Sequence, residues 1–206
     1  MGYESARPVP AGTSNKIGAQ YFAKTDPALA VPDLQPVMSH VPLPVVGQEV
    51  PAEGHGCSLA PGTIRTLSRG RLWLWSADPG EASALDPRYF EEPYDLRAMV
   101  TAVRRAREIG ERKALGEWRA REVAPGPGVV TDDEIAAYAK RNLASCHHQV
   151  GTCRMGAVPE AVVDPLVRTR GLRVADASVV AAVPSGNTHA PTVVIGERCA
   201  EFLISG

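Results

Sequence analysis

Apolar side chains recur at three- and four-residue spacing along residues 93–110, and this periodicity predicts a helix. The positions that carry the pattern are Leu96, Met99, Val100, Val103 and Ile109. Pro93 suits the first turn of such a helix and Gly110 suits its end. We therefore expect the helix to occupy the whole segment.

Two further helices are predicted nearer the C-terminus. Thr131 and Glu134 form the pattern of a capping box, so a helix should run from residue 132 to about residue 144. Its inward-facing side chains would be Ile135, Tyr138, Ala139 and Leu143. Pro191 suits the first turn of a last helix. One side of that helix would carry Val194, Ile195, Phe202 and Leu203.

Strands are predicted most clearly within residues 57–76. Two apolar runs there, residues 63–67 and 71–75, flank a Ser-Arg-Gly turn, and we expect them to pair as a hairpin or a bulged strand pair. Trp73 and Trp75 alternate along the second run and so share a face, which favours packing in a core or sheet over a substrate cage.

The remaining pattern predicts a loop-rich α+β fold, with a mixed or mostly antiparallel sheet flanked by helices. Prolines limit residues 27–53 to short extended pieces, and residues 172–174 are a candidate strand. Residues 1–13 are rich in proline and small residues without periodicity, so we expect a loose N-terminal arm. A length of 206 residues suits one domain or slightly more.

Composition narrows the function classes. The net charge is −1, which gives no electrostatic case for binding nucleic acid or an anionic membrane. No apolar run approaches the length of a membrane span, and the N-terminus lacks the apolar core of a signal peptide. We therefore predict a cytoplasmic location. In a cytoplasmic protein, the four cysteines, which form no Cys-x-x-Cys pair, are expected to be reduced thiols.

The chemistry-bearing residues lie in the last third of the chain. Residues 148–156 read His-Gln-Val-Gly-Thr-Cys-Arg-Met-Gly, and residues 187–192 read Asn-Thr-His-Ala-Pro-Thr. These segments, together with Gly-Leu-Arg-Val-Ala-Asp-Ala-Ser-Val at residues 171–179, resemble three successive motifs of the glucose–methanol–choline (GMC) oxidoreductases. Upstream, residues 68–70, 76–79 and 86–89 also fit, so the resemblance covers roughly residues 14–205.

The resemblance implies an FAD-dependent alcohol dehydrogenase or oxidase, similar to choline dehydrogenases, that acts on a primary or secondary alcohol. A base would take the hydroxyl proton while hydride passes from carbon to the flavin. His148 matches the position of the family's base. A neutral imidazole suits that role, because its pKa lies near the pH at which the proton must be abstracted. Asn187 matches the second active-site position, where its amide could hydrogen-bond the developing alkoxide.

The same resemblance assigns cofactor contacts. Asp176 and Ala177 would lie near the FAD pyrophosphate and ribityl chain. The N-terminus of the last helix would stabilise charge on the reduced flavin, and its flavin-contacting residues would be His189, Ala190 and Thr192. His189 replaces the family's usual Asn, and Gln149 replaces its common Pro. On this basis residues 14–145 form a substrate-binding domain, and residues 146–206 form the catalytic, flavin-contacting segment.

The nucleotide-binding part of that family is not found in this sequence. No three glycines stand in the Gly-x-Gly-x-x-Gly spacing that holds the ADP moiety on a βαβ unit. We therefore expect the C-terminal segment to dock on an FAD-binding domain absent from this chain, supplied in trans or by a longer gene. A split subunit, a truncated gene and a misassigned start all fit, and alone the chain should bind FAD weakly or not at all.

Two alternatives stay open, and a third is disfavoured. The chain could be a non-catalytic remnant or binding module of a truncated gene. It could instead be a small flavin-independent enzyme that pairs His148 with an acid such as Asp176. A metal site built from Cys146, His147, His148 and Cys153 is disfavoured, because adjacent side chains diverge and no second ligand pair has finger-like spacing.

Overall fold

The computed structural model describes residues 1–9 and 16–205. The chain groups into two compact units, which we call unit 1 (Met1–Ile64 and Glu92–Ala144) and unit 2 (Arg65–Glu91 and Ser145–Gly206). The division after Ala144 lies one residue from the predicted start of the catalytic segment, whereas Arg65–Glu91 groups with that segment rather than with the predicted substrate domain. Within the described residues, no helix combines the length and apolarity that crossing a membrane requires.

Strands and helices are numbered in chain order. The strands are β1 (Gly2–Ser5), β2 (Ile17–Gln20), β3 (Val37–Ser39), β4 (Gly56–Ala60), β5 (Arg71–Trp73), β6 (Ala84–Asp86), β7 (Arg119–Ala124), β8 (Arg168–Thr169) and β9 (Leu172–Arg173). The helices are α1 (Pro93–Gly110), α2 (Lys113–Gly116), α3 (Asp132–Arg141) and α4 (His189–Ile204), and a 3₁₀ turn spans Ala177–Val179. The predicted α+β class is confirmed.

The sheet of unit 1 contains five antiparallel strands in the order β2-β3-β4-β1-β7. Strand β1 pairs with β4 on one side and β7 on the other, and Met1 and Tyr3 are buried. The loose arm predicted for residues 1–13 is therefore wrong for residues 1–9. Pairing with two neighbours far away in sequence overrides the local composition. Residues 10–13 of that prediction lie outside the described residues.

Both helices of unit 1 with a strong sequence signal form, although α3 ends at Arg141 and not near the predicted residue 144. Helix α1 fills residues 93–110 with proline in its first turn. At the start of α3, the Thr131 hydroxyl accepts from the Glu134 N–H (3.3 Å), and the Glu134 carboxylate accepts from the Thr131 N–H (2.8 Å). The core cluster of unit 1 packs these helices against the sheet through Met1, Tyr3, Leu59, Val100, Val103, Ala106 and Ile135.

The predicted pairing of residues 63–67 with residues 71–75 is wrong. Strand β5 pairs with β6, and Thr63 forms an isolated bridge with Leu34. Pro61 and Gly62 end β4, and Gly70 lies so close to the Asp86 carbonyl that a Cβ would come within 2.4 Å of it. The close approach of the Gly70 backbone to the Asp86 carbonyl favours pairing of β5 with β6.

Of the core or sheet packing predicted for Trp73 and Trp75, the core alternative is wrong, although Trp73 does lie in strand β5. The two rings make a T-shaped contact with centroids 5.3 Å apart, yet the residues are 36% and 73% exposed. Their alternation along the chain predicted a shared face, with which this ring contact agrees, but it did not predict that both rings lie on a surface.

The C-terminal part of unit 2 is built from short elements. Strands β8 and β9 form a hairpin that turns at Gly171, where φ is +74°. Helix α4 begins at His189, so Pro191 lies in its first turn, as predicted. The buried apolar residues of this region are Val163, Val167, Val179 and Cys199.

Candidate active site

The histidine motif is fixed by backbone hydrogen bonds within unit 2. The N–H groups of Gly151 and Cys153 both donate to the Ser178 carbonyl (3.1 and 3.0 Å), and the Met155 N–H donates to the Val179 carbonyl (2.8 Å). Gly151 adopts φ +94°, a conformation that side chains disfavour, which explains the glycine in the Gly-Thr turn. The motif is thereby attached to the 3₁₀ turn that contains Ala177.

His148 and Asn187 lie side by side although 39 positions separate them. The Asn187 amide nitrogen Nδ2 is 2.8 Å from His148 Nε2. Asn187 is exposed and His148 is half-buried, so both groups are reachable from solvent. This geometry is what a shared contact with one alcohol oxygen requires, because both polar atoms lie within a single hydrogen bond of each other.

A third residue, Thr188, contacts the same imidazole. Its hydroxyl Oγ1 lies 3.0 Å from His148 Nδ1, and Thr188 is 6% exposed. The Thr188 carbonyl accepts from the N–H (3.0 Å) and the hydroxyl (2.7 Å) of Thr192. Sequence reasoning did not single out Thr188, since threonine directly before a helix is an ordinary capping residue.

Asp176 serves the local turn and does not pair with His148. Its Oδ1 accepts from the Ser178 N–H (2.8 Å), which caps the 3₁₀ turn. Both ring nitrogens of His148 are instead bonded to Asn187 and Thr188. The His148–Asp176 pair of a flavin-independent enzyme is therefore contradicted.

The remaining predicted cofactor residues lie at the start of helix α4 and in the 3₁₀ turn. His189 and Ala190 open α4 and are exposed, and Thr192 is half-buried with its hydroxyl bonded back to Thr188. The first N–H groups of a helix lack partners within the helix and favour negative charge. Ala177 is half-buried in the 3₁₀ turn beside exposed Asp176. These positions fit a group that carries an anionic or electron-rich ring, and their roles stay predictions.

The neighbouring histidine differs from His148. His147 is exposed, adopts φ +60°, and its N–H donates to the Ser145 hydroxyl (2.9 Å). Across residues 1–9 and 16–205, no three His, Cys, Asp or Glu side chains come together as metal ligands would. His147 is therefore a suitable matched control for experiments on His148.

Comparison with known proteins identifies similar chains. The family model described as "GMC oxidoreductase" matches residues 66–196. The chain is 37% identical over 195 residues to an alcohol dehydrogenase [acceptor] of Pseudomonas putida, covering 93% of this chain and 35% of the relative. It is 36% identical over 212 residues to choline oxidase of Arthrobacter globiformis, covering 98% of this chain and 39% of the relative.

Solved structures of other proteins also resemble this chain over part of their length. The crystal structure of pyridoxine 4-oxidase from Mesorbium loti superposes with a TM-score of 0.93 and 29% identity, covering all of this chain and 41% of that one. Formate oxidase of Aspergillus oryzae, at 23% identity and a TM-score of 0.75, shares the fold. The chain thus spans less than half the length of each of these relatives.

Proposed function

This chain belongs to the GMC oxidoreductase family, and from that premise we propose that it forms the substrate-side part of an FAD-dependent enzyme that oxidises a CH–OH group. The observation that carries the proposal is the 2.8 Å contact between Asn187 Nδ2 and His148 Nε2. Choline, other primary alcohols and secondary alcohols are the substrate class, by analogy with the alcohol dehydrogenase and choline oxidase relatives.

In the proposed reaction, His148 Nε2 takes the hydroxyl proton of the alcohol. The Asn187 amide donates a hydrogen bond to the same oxygen as negative charge develops on it. Bound FAD would supply the acceptor for the hydride that leaves the carbinol carbon, so that the alcohol becomes a carbonyl compound. His148 would thus receive the proton and the flavin would receive the hydride.

The residues proposed to hold the flavin are Asp176, Ala177, His189, Ala190 and Thr192. Support comes from the exposed N-terminus of α4, whose first amides and positive dipole end suit the electron-rich ring of a reduced flavin. The sequence contains no Gly-x-Gly-x-x-Gly segment for the nucleotide, so we propose that another polypeptide stretch provides that part of the site.

We propose a flavin-binding domain as the partner of this chain, in trans or within one longer protein. Support comes from apolar side chains on unit 2 that are at least half exposed, namely Leu67, Leu74, Trp75, Leu85, Val158, Leu172, Val193, Val194, Leu203 and Ile204. Fifteen of the twenty large apolar residues that are exposed among the described residues lie in unit 2, which suits a surface that another polypeptide covers. A cytoplasmic location remains a prediction.

Complementation tests this function. The chain is co-expressed with the N-terminal flavin-binding part of the Pseudomonas putida relative, and dye reduction is measured with a panel of alcohols that includes choline. We expect His148→Ala to lower kcat about 10²- to 10⁴-fold, the usual contribution of a general base. His147→Ala, its matched control, should stay within about twofold of the unchanged chain.

Two outcomes would contradict the proposal. If no pairing reduces the dye although the chain is folded and associated with its partner, the chain is a non-catalytic remnant or binding module. If His147→Ala and His148→Ala reduce kcat equally, the activity does not depend on the His148–Asn187 pair.

A further inference from the structure

Each ring nitrogen of His148 has one hydrogen-bond partner, and the two partners together fix the position of the ring proton. The Asn187 nitrogen Nδ2 can only donate, so His148 Nε2 accepts from it. The proton of the neutral ring must then lie on Nδ1, where the Thr188 hydroxyl accepts it at 3.0 Å. We infer that Thr188 is a positioning residue that holds His148 as the Nδ1–H tautomer. This inference rests on the proposed function and extends it.

The use of the Thr188 side chain supports this role. Thr188 occupies the residue before α4, where threonine usually accepts a hydrogen bond from the second or third amide of the helix. Here its hydroxyl makes no such capping bond and contacts His148 instead. Because the residue is only 6% exposed, water is a poor substitute partner for the ring. The hydroxyl thus supports the imidazole and not the helix.

Both ends of this contact are attached to hydrogen-bonded backbone. Thr188 is held by the two bonds that Thr192 donates to its carbonyl. The segment after His148 is held because Gly151 and Cys153 both donate to the Ser178 carbonyl. A side chain placed between two fixed backbones restricts the ring orientation as well as its tautomer.

The tautomer matters for the chemistry. In the Nδ1–H form, the lone pair of His148 Nε2 accepts from Asn187, and the same lone pair can take a proton from an alcohol that replaces this contact. In the Nε2–H form that lone pair is absent. Removal of the Thr188 hydroxyl should therefore lower kcat while KM changes little, because the lost contact concerns proton transfer and not ground-state binding.

Nitrogen NMR of the full chain, without flavin or partner, tests the inference directly. Histidine is labelled with ¹⁵N, and long-range ¹H–¹⁵N correlations are recorded at a pH where the rings are neutral, with His148→Gln used to assign the signals. We expect a pyrrole-type shift for Nδ1 and a pyridine-type shift for Nε2 of His148. Thr188→Val should move the ring towards the Nε2–H form, Thr188→Ser should restore the Nδ1–H form, and His147 should be unaffected.

An Nε2–H tautomer in the unchanged chain would overturn the inference, as would an unchanged tautomer in a folded Thr188→Val variant. If Thr188→Val does not fold, Thr188→Ala provides the same comparison with Thr188→Ser. In the complemented enzyme, we expect Thr188→Val to lower kcat at least about tenfold with KM nearly unchanged. Absence of alcohol oxidation with the expected tautomer intact would refute the proposed function alone, so the two failures are distinguishable.

Discussion

Units 1 and 2 differ in where their apolar side chains lie. Among the described residues, unit 1 holds fourteen of the nineteen buried apolar residues, whereas unit 2 holds fifteen of the twenty large apolar residues that are exposed. Unit 2 is also the smaller of the two. A chain segment that buries so little of its own apolar surface has a weaker hydrophobic contribution to stability.

The candidate site lies in the unit with the exposed apolar surface. His148, Asn187 and Thr188 are held by hydrogen bonds rather than by a large core. Stability and chemistry can therefore be tested independently. Core substitutions in unit 1 should change the free energy of unfolding, whereas site substitutions in unit 2 should change the tautomer of the His148 imidazole.

The largest effect is expected from Ile135→Ala in α3. Ile135 is fully buried in the core of unit 1, so the substitution removes apolar contacts and leaves a cavity, at a cost of about 3 kcal/mol in the free energy of unfolding. Urea unfolding followed by backbone NMR signals of each unit measures it. Leu203→Ala in α4, at 66% exposure, is the control and should change the stability of unit 2 by less than about 0.5 kcal/mol. Equal losses would contradict the comparison.

A partly buried ion pair in unit 1 gives the next largest effect. Arg107 and Glu122 have side chains only 18% and 13% exposed and make two hydrogen bonds, at 2.8 and 3.0 Å. Glu122→Gln leaves the Arg107 charge without its partner and should cost about 2 kcal/mol, below the range for fully buried pairs. Glu108→Gln removes an exposed pair with Arg105 and should cost less than about 0.5 kcal/mol in the same urea titration. A similar loss in both variants would show that burial of the pair is unimportant.

Local and non-local signals explain which features the sequence revealed. The capping box of Thr131 and Glu134 is readable because both partners lie within one turn of chain. Strand β1 was missed because Tyr3 pairs with Cys57 and Glu122, and no local pattern specifies partners so distant. The same limit explains the wrong pairing predicted for β5.

Site prediction had a different origin. The closeness of His148 and Asn187 was expected from the resemblance to a family, and no periodicity in this chain implies it. Thr188 was missed because its sequence context is that of a helix cap. Only the three-dimensional structure shows that its hydroxyl forms a hydrogen bond with His148 Nδ1. Local physics therefore predicted the helices, while the site depended on residues brought together by the fold.

A buried carboxylate in unit 1 gives a pH-dependent effect. Asp33 is 2% exposed and accepts hydrogen bonds from the hydroxyls of Thr25 and Tyr94, both at 2.5 Å. Burial acts to raise the pKa of Asp33, but these bonds outweigh it and hold the pKa below its ordinary value of 3.8. A lowered pKa means that the stabilisation is present above pH 3.8 and is lost as the pH falls towards the folded-state pKa.

Tyr94→Phe should therefore destabilise unit 1 by about 1.5 kcal/mol near neutral pH, since it removes a hydrogen bond to a charged group. The difference should shrink as the pH falls below 3.8 towards the lowered folded-state pKa at which Asp33 takes up its proton. Urea titrations at several pH values measure this, with Tyr89→Phe, an exposed tyrosine of unit 2, as the control. A difference that does not depend on pH would show that the Asp33 charge is not involved.

The smallest effect distinguishes two threonines at equivalent helix positions. Thr131 caps α3 through its hydroxyl, so Thr131→Ala should cost about 1 kcal/mol in the unfolding of unit 1 and leave the ring signals of His148 unchanged. Thr188 precedes α4 without capping it, so Thr188→Val should change those ring signals with a smaller loss of stability. If Thr188→Val instead destabilises unit 2 as much as Thr131→Ala destabilises unit 1, with the tautomer unchanged, Thr188 acts as a helix residue, and the separation of stability from chemistry fails at the site itself.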